Sequence, residues 1–342
     1  MAADDTQQLR LSQPRSSTAA ALASTRVLSL TGGGYRGLFT AQVLVELCRA
    51  ARCKGSINAT VDVFAGTSIG GLMACALAVG VTPQRVVDAI DANGPRVFTP
   101  KRLPTLRRAL FGTLYDKGNL AKAIDECLGP HRHTKFKSIE QGLMVPAVDW
   151  LSGRVQVYMS GYFGKAYASE VTLREVCLAT SAAPTYFDPA EVDGAPMLDG
   201  GLAANNPDVL ALTEVARRHP GALARIEMLS IGTAGASKAR AAKQAKKPGI
   251  GWAPSLATYI IDVQERTAAD QAARLLGERY LRINHADGRG LAFEEMDIAN
   301  DETRTLLMKA ASDTAKIAYK SYGPFVDRFL NIHRRRATAA RS

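Results

Sequence analysis

The sequence predicts an α/β protein in which helices cover the faces of a mostly parallel β-sheet. Two short apolar segments each lead into a glycine-rich turn followed by a helical pattern, and such strand–turn–helix units in succession are typical of parallel sheets. A length of 342 residues with 46% hydrophobic residues is enough for one large domain or two small ones.

The first unit lies near the N-terminus. A strand is predicted at 27–31, where the residues are apolar and β-prone, and it stops at a loop rich in glycine over 32–37. Apolar residues then recur at helical spacing over 38–52. This order predicts a strand, a glycine turn and a helix.

The second unit repeats the order. A strand at 61–65 is followed by a turn at 66–70 and an apolar helix through 72–79. Gly80 is placed to end this helix, and Pro83 is typical of the first position of the next one.

The remaining elements continue the alternation of strands and helices. Strands are predicted at 143–149, 155–158, 226–231 and 280–283, with a short apolar segment leading into Asp199. Helices are predicted at 119–128, 172–180, 256–276, 301–319 and 322–334.

Two basic segments interrupt this pattern. In residues 94–120, basic and apolar residues alternate around three prolines, and we interpret 96–117, with Arg107 and Arg108, as a lid or membrane-docking surface. An ordinary helix that packs its apolar face on the core remains the alternative. Residues 234–254 hold five basic residues and no acidic one, which predicts a solvated mobile loop.

The charge of the chain is strongly basic, with 43 Lys and Arg against 32 Asp and Glu and a net charge of +11. Nucleic acid and anionic lipid are the usual partners of such a surface, and a basic surface without a polyanionic partner is a third alternative. Charge alone does not choose among them. Because no nucleic-acid-binding motif accompanies the basic stretches, we predict no nucleic-acid partner.

The cysteines and the N-terminal region indicate the compartment. Five cysteines form an odd number without a C-x-x-C pair, which favours a reducing cytoplasm. The apolar run within residues 1–25 is shorter than the core of a signal peptide, so we predict a disordered tail there. No stretch approaches the roughly 18 apolar residues of a membrane span.

The central motif is Gly66-Thr67-Ser68-Ile69-Gly70. G-x-S-x-G is a weak pattern by itself, but here a predicted strand precedes it and an apolar helix follows. A turn in that position projects the Ser68 hydroxyl above the sheet at a helix N-terminus, where an anion is favoured. We therefore predict Ser68 as a nucleophile with Gly66 and Gly70 in its elbow; a chance tight turn is the alternative.

A glycine-rich loop upstream supplies a second part. The loop does not fit the phosphate-binding patterns G-x-x-x-x-G-K-[ST] or G-x-G-x-x-G, whereas consecutive glycines expose backbone N–H groups to a developing oxyanion. A merely structural turn between strand and helix stays open as an alternative. The predicted oxyanion hole consists of Gly32, Gly33, Gly34, Tyr35 and Arg36.

Asp199-Gly200-Gly201 supplies the third part, a carboxylate base. Aspartate is a poor base at its ordinary pKa of about 3.9, so Asp199 must be partly desolvated to accept a hydroxyl proton. Gly200 and Gly201 let the backbone and a substrate approach closely.

The histidines argue against a Ser-Asp-His triad. His219, His285 and His333 follow Asp199 in the order that α/β-hydrolases use and remain formal candidates. Those enzymes often have a histidine just ahead of the oxyanion glycines, where this chain has Thr31. A dyad of Ser68 and Asp199 is therefore favoured.

These motifs together resemble the patatin-like phospholipases. The glycine loop, the serine elbow, Ser181-Ala182-Ala183-Pro184 and Asp199-Gly200-Gly201 stand in that family's order, and two later blocks also match, Asn205-Asn206-Pro207 and Ser230-Ile231-Gly232-Thr233. The resemblance spans 26–335, with 255–335 as a mostly helical part and 336–342 as a basic tail. It implies a three-layer α/β/α sandwich and a phospholipase of the A type, in which Ser68 is the nucleophile, Asp199 the base and Gly32–Arg36 the oxyanion hole, with no metal.

A narrower resemblance concerns the segment from Leu30 to Phe39, which is similar to that of the CapV-type bacterial effectors. Those are patatin-like phospholipases switched on by cyclic dinucleotides in anti-phage signalling. The resemblance implies a cytoplasmic enzyme that contacts an anionic membrane peripherally, cleaves its phospholipids and takes a cyclic dinucleotide as activator but no other cofactor. A constitutive lipid acyl hydrolase and a non-catalytic basic binding protein are the alternatives, and the oligomeric state is left open.

Overall fold

The computed structural model describes residues 24–53, 56–101, 113–165, 168–218, 221–235, 253–285 and 295–331. Several predictions concern residues outside these ranges. The residues outside these ranges include the stretch 102–112 with Arg107 and Arg108, the basic tail 336–342, nearly all of the tail 1–25 and most of the basic loop 234–254.

Eight strands of the described chain form one sheet. They are β1 (Thr25–Leu30), β2 (Val63–Gly66), β3 (Gly142–Asp149), β4 (Val155–Met159), β5 (Ala190–Val192), β6 (Ala195–Asp199), β7 (Ile226–Ile231) and β8 (Tyr280–Ile283). Their order is β5-β6-β3-β2-β1-β7-β8, with β4 paired to β3. The five strands from β3 to β8 in this order run parallel, and β4 and β6 run antiparallel to β3. The predicted mostly parallel sheet is confirmed.

Helices cover both faces of the sheet. They are α1 (Gly37–Ala50), α2 (Ile69–Ala78), α3 (Pro83–Val97), α4 (Lys117–Leu128), α5 (Leu173–Thr180), α6 (Gly201–Ala204), α7 (Asp208–Arg218), α8 (Ala253–Leu276) and α9 (Asp301–Leu330). None of the described helices is long and apolar enough to cross a membrane.

The alternation of side chains along β1 divides the core into two layers. Leu28 and Leu30 pack with α1 to α5 and α9 on one face, whereas Val27 packs with α7 and α8 on the other. Both layers are buried, which explains why the parallel strands are apolar on both faces. The predicted three-layer α/β/α sandwich is thereby confirmed.

Helix ends follow local chemistry. Thr82 caps α3, because its side chain accepts a hydrogen bond from the Arg85 N–H, and Pro83 occupies the first position. Thr172 and Glu175 form a capping box at the start of α5.

Two boundaries differ from the prediction. Helix α3 continues through Pro95 to Val97, so the predicted break at 94 was placed too early. The second boundary is the end of α9, which lies at Leu330 and not at 334, whereas the predicted division into helices at 301–319 and 322–334 agrees with the structure. Tyr322 within α9 has non-helical backbone angles and Pro324 follows, so a kink marks the predicted gap.

Candidate active site

The strand register brings Asp199 to the end of β2. Met144 of β3 pairs with β2 on one edge and with β4 on the other. Three residues later, Ala147 pairs with β4 and with Asp199 of β6, so β6 occupies the edge that β2 leaves where it ends at Gly66. Because β6 runs antiparallel to β2, Asp199 points back towards the turn that carries Ser68.

Ser68 occupies a strained turn between β2 and α2. Its φ of 55° and ψ of −124° lie outside the regions that side chains normally adopt, and such strain is common at functional sites. A Cβ on Gly66 would collide with the carbonyl group of Gly70, and a Cβ on Gly70 with that of Leu30. The elbow therefore requires glycine on both sides of the serine.

The Ser68 hydroxyl donates a hydrogen bond to Asp199. The Ser68 Oγ to Asp199 Oδ2 distance is 2.7 Å, and Asp199 Oδ1 accepts the Gly201 N–H at 2.6 Å. Burial raises the pKa of Asp199 to about 6, although the hydrogen bonds from Ser68 and Gly201 partly offset this effect. The carboxylate is thus held in one orientation and is more basic than an exposed aspartate.

Thr180, at the end of α5, fixes the geometry of the elbow. Its buried hydroxyl accepts the backbone N–H of Ser68 at 2.9 Å and donates to the Pro146 carbonyl at 2.7 Å. Its own carbonyl accepts the Gly200 N–H at 3.4 Å. One side chain therefore ties the serine turn to β3, and the same residue contacts the Asp199 turn.

Three N–H groups of the glycine loop are engaged within the protein. The N–H of Gly32 donates to the Asn205 carbonyl at 3.0 Å, that of Tyr35 to the Met296 carbonyl at 2.7 Å, and that of Arg36 to the Gly33 carbonyl at 3.2 Å. These contacts define the shape of the loop and occupy three of the five N–H donors predicted from the sequence.

The other two donors are Gly33 and Gly34. Neither N–H has an acceptor among the described residues. Gly34 has a φ of +58°, and a Cβ there would collide with the Met296 carbonyl, so glycine is required. Of the five residues predicted as oxyanion donors, Gly33 and Gly34 are therefore the two that remain candidates.

The later sequence blocks support the loop from behind. Asn205 Nδ2 and Thr233 Oγ1 both donate to the Gly32 carbonyl, at 3.3 and 3.2 Å. A Cβ on Gly33 would collide with the Thr233 side chain. The positions of Asn205 and Thr233 explain why both blocks accompany the glycine loop.

An apolar cavity adjoins the Ser68–Asp199 pair. It holds about 760 Å³ of empty space, part of which is open to solvent. Side chains of α2, α3, α4 and the 181–187 segment form its wall, together with Met296. The apolar residues Leu72, Ile90, Val97, Phe98, Leu120 and Phe187 are among them. A cavity of this composition suits a hydrocarbon chain.

His285, the one described histidine that follows Asp199 in the chain, lies away from this pair. His285 follows β8, three strands from β2 in the sheet, and its Nδ1 lies 3.2 Å from the Thr314 hydroxyl. Among the described residues, neither Ser68 nor Asp199 hydrogen-bonds a histidine. His219 and His333 lie outside the described residues.

Sequence reasoning missed two contributors. Thr180 directly precedes the Ser181–Pro184 block, so a polar residue ending an apolar helix next to a matched block was a usable signal. Met296 lies far from every motif, and only the fold brings its carbonyl group to Tyr35.

Comparison with known proteins shows that the chain is similar to phospholipases. The sequence model of the patatin-like phospholipases matches residues 28–212, which include both Ser68 and Asp199. The chain is 35% identical to a cGAMP-activated phospholipase of Vibrio cholerae over 61% of this chain and 64% of that protein. It is 32% identical to one of Pseudomonas aeruginosa, over 75% of this chain and 77% of that protein.

A third relative, the cGAMP-activated phospholipase of Escherichia coli, is 34% identical over 56% of each chain. The chain thus spans between about half and three quarters of these relatives. With its motifs, its fold and the match to the family model in agreement, the chain belongs to the patatin-like phospholipase family.

Proposed function

We propose that this protein is a serine acyl hydrolase that cleaves fatty-acyl esters of membrane phospholipids. The observation that carries the proposal is the 2.7 Å hydrogen bond from the Ser68 hydroxyl to a buried carboxylate, at the edge of an apolar cavity. A nucleophile with an adjacent base is what acyl transfer requires.

Asp199 acts as the general base in this proposal. With a pKa of about 6 it is mostly ionised at neutral pH, and it is a better proton acceptor than an exposed aspartate. As Ser68 Oγ attacks the ester carbonyl, its proton moves to Asp199 Oδ2. Asp199 then returns the proton to the departing lysolipid oxygen, and the fatty acid remains esterified to Ser68.

Water completes the cycle. Asp199 accepts a proton from a water molecule as its oxygen attacks the acyl-enzyme, and the proton returns to Ser68 as the fatty acid leaves. The Gly33 and Gly34 N–H groups are directed to the carbonyl oxygen in both steps, where they stabilise its negative charge. No histidine takes part.

The substrate class follows from the cavity. Its wall is largely apolar, so it accommodates the fatty-acyl chain, while the ester carbonyl group lies between Ser68 and the glycine loop. Phospholipids also agree with the names of the three relatives, which are phospholipases.

Fatty-acid release from vesicles tests this proposal. Wild-type protein is incubated with phosphatidylcholine and phosphatidylglycerol vesicles, with and without cyclic dinucleotides, and free fatty acid and lysolipid are quantified by mass spectrometry. Ser68→Ala should abolish release, whereas Ser138→Ala, a change at an exposed serine near the amino end of β3, should not. Release that survives in Ser68→Ala would contradict the proposal.

We further propose that a cyclic dinucleotide switches the enzyme on, and that it acts in the cytoplasm at the inner face of the membrane during anti-phage signalling. The names of the three relatives support the activator, and the cysteine composition and narrower sequence resemblance support the setting. A ligand can switch the enzyme only by binding the active form more tightly than the inactive form.

A panel of cyclic dinucleotides tests the switch separately from the chemistry. Fatty-acid release should be low until a micromolar concentration of one dinucleotide is added, and the same ligand should raise the melting temperature. Equal activity with and without every member of the panel would indicate a constitutive lipid acyl hydrolase, with the Ser68 chemistry unchanged.

A further inference from the structure

Large apolar side chains are exposed at the hairpin tip, the turn of residues 150–154 between β3 and β4. Leu151 is 75% exposed, Trp150 57% and the adjoining Val155 45%. Leu151 is the most exposed of the large hydrophobic residues in the described chain. Exposed apolar side chains grouped in this way indicate a surface that contacts something apolar.

The hairpin tip is held in a fixed shape. Asp149 Oδ1 accepts the N–H groups of Leu151 and Ser152 at 2.8 and 3.3 Å, and the Asp149 carbonyl accepts that of Gly153 at 2.9 Å. The N–H of Trp150 donates to the Pro196 carbonyl of β6 at 3.0 Å. The indole and isobutyl groups are therefore presented to solvent by an ordered turn that is bonded to the strand carrying Asp199.

The register places the hairpin tip above the active site. Ala147 pairs with Asp199, and Trp150 lies three residues further along the same chain. At about 3.3 Å per residue, the tip extends roughly 10 Å beyond Asp199 along the strand direction. It therefore lies at the carboxyl ends of the parallel strands, where the active site also lies.

A second apolar surface lies on α6 and α8, next to the turn that carries Asp199. The apolar stripe consists of Leu202, Ile260 and Val263, which are 42%, 53% and 46% exposed. Gln264 links α8 to this region, because its side-chain amide contacts the Leu202 carbonyl and accepts the Asn205 N–H.

The direction of α8 places the apolar stripe towards the carboxyl ends of the strands, which is also where the hairpin tip lies. Its last turn lies near the amino ends of the parallel strands, because only residues 277–279 separate Leu276 from the first residue of β8. Its earlier residues therefore lie towards the carboxyl ends, and Ile260 is four residues, or roughly 6 Å, beyond Gln264.

We propose that the hairpin tip and the apolar stripe are two contact points of one bilayer-docking surface that brings the active site to its lipid. This inference rests on the proposed function, since a phospholipid substrate lies in a membrane. Trp150 has the amphipathic ring typical of bilayer interfaces, and the large apolar neighbour Leu151 extends deeper. The negative charge of Asp149 and the positive charge of Arg154 cancel at the tip. Insertion is therefore driven by burial of apolar surface and is insensitive to salt.

Tryptophan fluorescence tests contact at the tip without any catalysis. The chain has two tryptophans, so Trp252→Phe leaves Trp150 as the sole reporter, and Ser68→Ala prevents lipid turnover. Phosphatidylcholine vesicles should shift the emission to the blue, and vesicles of brominated phosphatidylcholine should quench it. Emission that does not change with either vesicle would overturn the proposal.

Sedimentation with the same vesicles measures the contribution of each side chain. On the Ser68→Ala background, Trp150→Ser and Leu151→Ser should each weaken partitioning about tenfold, as expected for one large apolar group lost from a buried position. Ile317→Ser is the matched control, because Ile317 is 67% exposed on α9 and lies in neither contact point. Equal losses for tip and control variants would contradict the inference, as would partitioning that salt abolishes.

Hydrolysis by the otherwise native protein separates docking from chemistry. Trp150→Ser with Leu151→Ser should slow release from vesicles by at least tenfold and leave hydrolysis of a soluble short-chain ester unchanged. Equal slowing on both substrates would overturn the docking role of the tip. Because partitioning is measured on inactive protein, absence of hydrolysis in the wild type, both without and with each cyclic dinucleotide of the panel, would refute the proposed function and leave the docking result interpretable. A tip that mediates self-association, seen as dimer loss in the double variant, would also overturn bilayer docking.

Discussion

Replacement of Asp199 by asparagine should stabilise the protein at neutral pH while it removes activity. Asp199 is 6% exposed, and burial raises its pKa to about 6, well above the ordinary value for an aspartate. Asparagine has nearly the same shape and keeps an acceptor for the Gly201 N–H, but it has no charge to desolvate. Asp199→Asn should also reduce turnover by a factor of about 10² or more, the usual contribution of a general base.

The size and sign of the stability effect follow from proton linkage. Below about pH 4, Asp199 is protonated in both the folded and the unfolded chain, and the charge imposes no cost. Between pH 4 and 6, Asp199 is ionised in the unfolded chain but still largely protonated in the folded protein, so the free energy of unfolding decreases as the pH rises. Above pH 6, Asp199 is ionised in both states and the decrease stays constant. A shift of about two pKa units corresponds to about 3 kcal/mol.

Urea denaturation at several pH values provides the assay. The free energy of unfolding of Asp199→Asn, relative to that of the wild type, should increase by up to about 3 kcal/mol from pH 4 to pH 7. Asp208→Asn is the matched control, since Asp208 is also buried but accepts hydrogen bonds from Ser230 and Tyr280. That control should lose stability at pH 7, because an amide cannot accept all of these bonds.

One result would refute this reasoning. If the stability difference between Asp199→Asn and the wild type did not change between pH 4 and pH 7, Asp199 would not be an aspartate with a raised pKa. Its assignment as a desolvated base would then fail.

Further predictions concern the same site. The ratio kcat/KM on a soluble ester should rise about tenfold per pH unit below pH 6 and level off above it, because only ionised Asp199 accepts the proton; a midpoint near pH 4 would exclude this base. Thr180→Val should lower kcat about 10²-fold with little change in KM, since the Ser68 N–H loses its acceptor, and Thr180→Ser should restore most of it; equal losses would assign the effect to packing. Gly34→Ala should reduce turnover by at least about 10²-fold, whereas Gly129→Ala, at a similar φ in open space, should not; equal effects would attribute the loss to backbone strain alone.

Much of the fold could be predicted from local pattern. Apolar strands that end in glycine turns and helices that begin at Thr82 and Thr172 carry their signals within a few residues, and these elements were found. Strand β5 was missed because it has three residues and, among the described strands, pairs only with β6. Helix α7 was missed although Ala211, Leu212 and Val215 have helical spacing.

The site was predictable only in its parts. The motifs named Ser68, Asp199 and the glycine loop, but their meeting depends on β6 running antiparallel along the edge of β3, which no local pattern specifies. The same limit applies to the loop, since only tertiary structure shows that the Tyr35 N–H is engaged by Met296. The predicted lid at 96–117 remains a prediction, because half of it, residues 102–112, lies outside the described residues.

Covalent labelling of Ser68 tests the central claim most directly. A fluorophosphonate probe reacts quickly only with a serine that is activated by a base and faces oxyanion donors, so peptide mass spectrometry of the labelled protein should locate a single adduct on Ser68. Asp199→Asn should slow the labelling, and Ser68→Ala should abolish it while leaving the fold intact. An adduct on another serine, or undiminished labelling of Ser68→Ala, would contradict the account.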